Sequence, residues 1–445
     1  MNASELPLAA VPVTAFRGSI VHFLDDPDDH LDSRSAEFLA DGLLVVADGH
    51  VQTVGETSEL LPHLPPGTEV RDYSGHLILP GFVDTHVHYA QTDIIASYGT
   101  RLFDWLERYT FPVEARFADP LHARQVADFF VDELLRQGTT TALVFTTVHR
   151  QSVEALFEAC REQNLRIIAG KIMMDRNCPE SLRDTAQSSY DESLELMEKW
   201  HHRGRALYAV TPRFAPTSTE AQLERAGELV RQRPDAYLHT HLAESHEELR
   251  WVSELFPWSR SYLDVYDRFG LLRPRAVFAH CIHLDTRDRQ RLAESGGAMS
   301  FCPTSNLFLG SGLFDVQAAR QAGARVGIGT DVGAGTSFGL LATLNEAYKV
   351  SRMTARNLTS LQAFYLATLG GARALYLDDR LGNFATGKEA DFVVLDLAAT
   401  PLLERRLARA ATLADKLFSL MMLGDDRCVV ATYVMGALAH ARASR

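Results

Sequence analysis

The chain has 445 residues, 46% hydrophobic and 23% charged, with a net charge of −13. That composition allows a large core and more than one domain, and its acidic balance argues against a nucleic-acid or anionic-membrane surface, which needs clustered Lys and Arg. It leaves a purine ring open as a small substrate.

The N-terminal run Met1 to Gly18 lacks a basic head followed by an apolar stretch, so no signal peptide is expected. No uncharged apolar stretch approaches the ~20 residues of a membrane helix. Cys160, Cys178, Cys281, Cys302 and Cys428 form no CxxC pair and are odd in number. A reducing, cytoplasmic location is therefore expected. Residues 12–75 read as short strands and turns. Leu43 to Ala47 and Val51 to Val54 pair as a hairpin across Asp48-Gly49.

The run PGFVDTHVH, Pro80 to His88, reads as a buried strand with two histidines at its far end. A strand sends residues i and i+2 to one face, so His86 and His88 point the same way. Neutral imidazole suits zinc, iron and similar ions. Taken alone, His-x-His fits a pair of satisfied histidines at a strand end better than a metal site, and the rest of the chain decides. Ala90 to Asp119 follows as a long segment suited to a lid.

Beyond it, apolar strands alternate with helices. Strands are expected over 82–88, 140–147, 167–174, 207–214, 236–244, 276–283, 298–302 and 326–331. Helices are expected over 122–137, 151–163, 189–202 and 219–233. Eight strands with interleaved helices fit a (β/α)8 barrel. After it, Gly387 to Asp391 leads into a strand at Phe392 to Asp396, and Cys428 to Val434 reads as another. The predicted fold class is α/β: a distorted (β/α)8 TIM-like barrel, with a small β-sandwich domain built from both termini. The expected boundaries are 1–77, 78–384 and 385–445.

In such a barrel the site lies at the carboxyl ends of the strands. The first strand ends in His86 and His88, the fifth in His239-Thr240-His241-Leu242-Ala243-Glu244, the sixth in Ala279-His280, and the eighth in Thr330-Asp331. Four of eight ends thus carry histidine or carboxylate, which favours a metal site over core histidines. His86, His88, His241 and Asp331 supply three neutral nitrogens and one anionic oxygen, a set suited to one divalent metal with room for water. Such a site makes water nucleophilic near neutral pH. Asp331 can also accept a proton from that water. Glu244 reads as a proton shuttle, and His280 as a group that polarises the substrate and holds the nucleophile, with direct ligation as the alternative. His239 is expected behind the ligands, and His246 and His283 in loops. The fourth strand ends in Thr211-Pro212-Arg213-Phe214, with no lysine to bridge a second metal. Lys171 is assigned a structural place.

The motifs PGFVDTHVH, HTHLAE, AHCIH and GTD resemble those of the amidohydrolase superfamily, in its mononuclear deaminase branch, and GKEADFVVLD is similar to its C-terminal signature. The run Leu106 to Pro112 after Trp105, Thr211 to Phe214, Ser300 to Asn306 and Gly327 to Gly333 resemble the guanine deaminase family, as do Gly170 to Asp175 and Phe308 to Asp315. The resemblance implies hydrolysis of guanine to xanthine and ammonia with zinc, or iron in some relatives. It implies His86, His88, His241 and Asp331 as ligands and Glu244 as acid/base. It implies Gln91, Arg213, Phe214 and His280 as substrate contacts, and a homodimer. Tyr89 stands where smaller residues are typical, so that edge of the pocket is expected to differ.

The side chains themselves agree. Arg213 has donors only and suits a carbonyl O6 rather than an adenine amine; a group left unpaired there discriminates strongly. Phe214 and Trp105 offer flat apolar surface, with core packing an equal reading for Trp105. Gln91 can read a lactam edge. The expected chemistry is attack of activated water at C2, with Glu244 passing protons to N3 and to the departing 2-amine while His280 and Asp331 hold the attacking oxygen. The competing readings are the same chemistry on 8-oxoguanine, cytosine, an adenosine derivative or a triazine, and a non-catalytic barrel kept as a scaffold.

Overall fold

The computed structural model describes residues 13–27, 35–99 and 101–443. Most of the stretch read for a signal peptide lies outside them. Eight parallel strands form the barrel: Phe82–His88, Thr139–Phe145, Arg166–Gly170, Ala206–Pro212, Tyr237–Leu242, Ala276–His280, Ala298–Phe301 and Arg325–Ile328. They neighbour one another in chain order. Every residue of the first, second and fourth strands is buried, because helices cover one face and the barrel interior fills the other. The helices between them include Pro120–Arg136, Arg150–Glu162, Ala186–Trp200 and Glu220–Gln232.

Six of the eight strands end two or more residues before their expected ends, and two of these ends shape the site. The third breaks at Lys171, and Ile172–Met173 pairs separately beside Thr211 and Pro212. The eighth ends at Ile328, so Gly329 to Asp331 runs past it. The barrel closes in that extension. Asp331 N donates to His86 O at 2.9 Å and His88 N to Val332 O at 2.8 Å. Buried Asp84 crosses the same seam, accepting from Thr330 N at 3.1 Å and Thr330 Oγ1 at 2.5 Å. Burial pushes its carboxyl up to about 7. Gly329 has to be small here. A Cβ on it would lie 2.9 Å from His86 Cβ and 2.7 Å from Ser300 Oγ.

Both termini build one β layer. Val13–Phe23, Ala36–Ala47, His50–Glu56 and Glu69–Pro80 join Phe392–Asp396, Val429–Val434 and Ala437–Ala441 in a seven-stranded sheet. The hairpin turns at Asp48-Gly49, with φ of 51° and 72°, as a tight strand-matching turn requires. A bulge between Gly18 and Ile20 bends the first of these strands. The sheet curls around its own core, where the Phe16 ring meets Phe392 at 4.8 Å and Tyr433 at 4.9 Å.

Two helices interrupt the C-terminal strands, Pro401–Leu407 and Leu413–Leu423. They bury Leu403, Leu417, Leu420 and Met421 in the main core. A buried ionic clasp ties the layer to the barrel. Glu389 Oε2 accepts from Arg166 Nε at 2.9 Å and from Arg205 Nη2 at 2.6 Å, and Arg205 also pairs with Asp391. This clasp lies at the starts of the third and fourth barrel strands, the end opposite the site, where such residues serve stability.

Candidate functional site

The strand ends bring the predicted histidines together. His86 Nε2 and His88 Nε2 lie 3.2 Å apart, and His241 Nε2 is 3.3 Å from His88 Nε2. Asp331 Oδ1 is 3.2 Å from His86 Nε2 and 3.3 Å from His88 Nε2. His86, His88 and Asp331 form a group able to hold a metal ion, as do His86, His241 and His280.

The protonation states fit the same role. Burial lowers His88 to about 3 and holds His86, His239 and His241 below the usual imidazole range. These rings are neutral at pH 7 and can offer lone pairs. Burial alone would raise Asp331, but the imidazoles of His86 and His88 outweigh it and hold the carboxylate well below its usual range. An anion facing neutral nitrogens at this spacing suits a divalent cation.

Contacts behind the clustered histidines fix their rings. His86 Nδ1 meets His239 Nε2 at 2.8 Å, which gives His239 the supporting place expected for it. His241 Nδ1 donates to Arg213 O at 2.7 Å. Tyr266 Oη donates to His241 O at 2.9 Å and accepts from Ala215 N at 3.0 Å, so one hydroxyl joins the fourth and fifth strand ends. The side-chain amide of Gln91 lies 3.1 Å from His88 Nδ1.

Glu244 lies beyond the fifth strand, after Ala243 at a φ of 53°. His280 and Asp331 also hold positive φ, 70° and 51°. Such backbone conformations are uncommon outside glycine and cluster at functional sites. Glu244 Oε1 accepts from Ser311 Oγ at 2.8 Å, and its Oε2 lies 3.5 Å from His280 Nε2. Burial raises the Glu244 carboxyl, as proton transfer near neutral pH requires. Burial alone would lower His280, but the charges of Glu244 and Asp331 prevail and raise it. Its Nδ1 donates to Asn306 Oδ1 at 2.9 Å. The second oxygen of Asp331 faces this side, accepting from Ser305 Oγ at 2.5 Å and lying 3.8 Å from His280 Nε2.

The pocket above these groups is lined by His88, Gln91, Leu102, Trp105, Leu106, Arg213, Phe214, His241, Glu244, His280 and Asp331. Every predicted substrate contact is thus on its wall. Trp105 is nearly buried and donates Nε1 to Ser97 O at 3.1 Å, so it combines a pocket edge with core packing. The lid segment is a helical cover of short turns, Leu102–Trp105, Leu106–Thr110 and Phe111–Ala115. The middle turn is π-helical, a form that recurs at functional sites. A wider cavity of about 400 Å³ adjoins the pocket and shares Leu106 and Phe214 with it.

Two expectations are corrected. Tyr89 does not shape the pocket. It is buried in the helical shell, donating to Ser152 O at 2.7 Å beside the Phe117 ring at 5.2 Å. His246 is not in a loop but opens the helix His246–Leu255, where the Ser245 cap satisfies the first turn. Its ring lies 4.0 Å from that of His283, which does lie in a turn. Lys171 is buried as expected for a structural residue, paired with Asp184 and lying 3.4 Å from Glu192.

The sequence pattern misses five residues that touch the site. Ser305 and Asn306 lie within the quoted run Ser300 to Asn306, and Ser311 within Phe308 to Asp315, but no strand end marks them. Glu114 pairs with Arg213 at 2.7 Å and also holds Gln91 at 3.1 Å. Glu248, four residues past Glu244, accepts from Glu244 N at 2.8 Å. It is legible only as part of a capping box with Ser245.

Known proteins carry the same architecture. The amidohydrolase family model matches residues 77–439. The guanine deaminase of Escherichia coli strain K12 is 52% identical over 96% of this chain and 98% of its own. The solved E. coli guanine deaminase matches with a TM-score of 0.94 and 51% identity, covering 96% of this chain and all (100%) of that one. A guanine deaminase from C. acetobutylicum, solved with guanine bound in its active site, matches with a TM-score of 0.85 and 27% identity over 96% of this chain and 99% of that one. The chain belongs to the amidohydrolase family, among its guanine deaminases.

Proposed function

We propose that the chain hydrolyses guanine to xanthine and ammonia. The observation that carries this is the cluster in which His86, His88 and Asp331 lie 3.2–3.3 Å from one another and His241 lies 3.3 Å from His88, beside a buried Glu244 and a donor-only Arg213. The guanine seen in the C. acetobutylicum relative supports the choice of ring. In this reading His86, His88, His241 and Asp331 hold one divalent metal per chain, zinc with iron as the alternative. Bound there, the metal supplies a nucleophile from water at neutral pH.

The protein's own groups do the rest. Arg213 donates to O6, Gln91 faces the lactam edge, and Phe214 and Trp105 flank the ring. His280 and Asp331 hold the attacking oxygen against C2. Glu244 takes the first proton released by the water and gives it to N3 as C2 becomes tetrahedral; it then takes the remaining proton of the added hydroxyl, by way of Asp331, and gives it to the leaving 2-amine, so ammonia departs as the C2 carbonyl forms. A raised carboxyl pKa suits a group that must both take and give protons. We further propose a cytoplasmic homodimer, and the domain boundaries 1–77, 78–384 and 385–445. Among the described residues no helix is long and apolar enough to cross a membrane.

Ammonia release over a panel of guanine, 8-oxoguanine, adenine, cytosine and a chlorotriazine tests the substrate. Guanine is expected to exceed each other ring by about 100-fold or more in kcat/KM, because a buried donor set rejects rings that cannot pair with it. Another ring turning over faster than guanine would overturn the assignment.

A further inference from the structure

We propose that Glu114 is a positioning residue that sets how the pocket reads the lactam edge of its substrate. This rests on the reading of Arg213 and Gln91 as the contacts to that edge. Glu114 is fully buried and descends from the covering helix Phe111–Ala115. Its two oxygens are divided between the two readers. Oε2 accepts from Arg213 Nη1 at 2.7 Å, and Oε1 from Gln91 Nε2 at 3.1 Å. One anion from the cover thus holds two side chains that arrive from the first and fourth strand ends. Gln91 is tied at its other end as well, where Oε1 accepts from Gly333 N at 3.2 Å.

The consequences follow from charge and geometry. A guanidinium is a planar fork. Glu114 takes Nη1, and the Phe111 ring lies 5.6 Å from the guanidinium carbon. Among the described residues no other acceptor holds this group, so its remaining donors serve the pocket that Arg213 lines. The pairing also cancels a buried positive charge that would otherwise draw in an anion. The reading edge becomes a fixed, neutral donor set, matched to an uncharged lactam.

The test compares guanine with 2-aminopurine, which keeps the reacting 2-amine but lacks the 6-oxo group. Glu114→Gln keeps the shape and removes the charge. Its kcat/KM for guanine should fall about 100-fold, mostly through KM, while that for 2-aminopurine changes less than about threefold. Equal losses on both rings, or no loss on either, would overturn the role. Should the single variant not fold, with Arg213 buried and unpaired, the double variant Glu114→Gln with Arg213→Met is compared with Arg213→Met alone. If Glu114 acts through Arg213 and Gln91, the double variant loses at most about tenfold more guanine kcat/KM, the share carried by Gln91, and stays within about threefold on 2-aminopurine; a further loss of about 100-fold, or equal losses on both rings, would contradict it. Wild-type protein inactive on guanine would sink the substrate assignment instead, so the two failures are distinguishable.

Discussion

Glu244→Gln is expected to lower guanine turnover by about 10³–10⁴-fold while leaving metal content per chain unchanged. The carboxylate stands apart from the converging imidazoles. Its Oε1 is held by Ser311 Oγ at 2.8 Å and its Oε2 faces His280 at 3.5 Å. Gln has nearly the same shape, can keep the Ser311 contact, and cannot exchange protons with a ring nitrogen or an amine. The loss should fall on kcat, because protons move in the transition state and not in the bound ground state. Steady-state kinetics and elemental analysis of one preparation check both halves. Near-normal turnover would remove Glu244 from the mechanism.

Asp331→Asn should fail differently. One oxygen of Asp331 faces His86 and His88 at 3.2 and 3.3 Å, and the other faces Ser305 and His280. The amide keeps the volume and loses the only anion among the four proposed ligands. Supporting residues around metal ligands are worth 10–100-fold in affinity or activity, and a charged ligand should be worth more. Metal affinity is expected to fall at least about 100-fold, and turnover at least about 10⁴-fold. Competition with a metal-binding dye measures the first, and ammonia release at saturating metal the second. Full affinity in this variant would place the metal elsewhere. Together the two substitutions separate holding the metal from moving the proton.

Much of the site was legible because barrel strands are rigid and period-two. His86 and His88 had to share a face, and a barrel had to gather strand ends at one mouth. His241 and Asp331 followed from the same logic, although Asp331 proves to lie past its strand, held by the seam hydrogen bond to His86 O. His239, one pleat below His241, lies behind His86 as strand geometry dictates. What stayed hidden lies where no periodicity operates. Glu114 reaches Arg213 across 99 positions of sequence, from a cover whose π-helical turn at Leu106–Thr110 has no sequence signature. Ser311 touches Glu244 from a loop, and only the folded chain brings them together. Tyr89 misled for a related reason. It directly follows His88, but the strand gives way there to a 3₁₀ turn starting at Tyr89, and the ring swings outward to Ser152. The helix Leu413–Leu423 was also unread. It is apolar on the side that covers the helices Leu340–Met353 and Ser360–Leu366, and it sits between two strands that had suggested β structure throughout.

The central claim is tested most directly by stripping metal from the purified protein, then following guanine turnover as zinc is returned. Activity should vanish with the metal and return in proportion, reaching its plateau at one equivalent per chain, with one ammonia released per xanthine formed. Undiminished turnover by fully stripped protein, or zinc-loaded protein that leaves guanine intact, would contradict it.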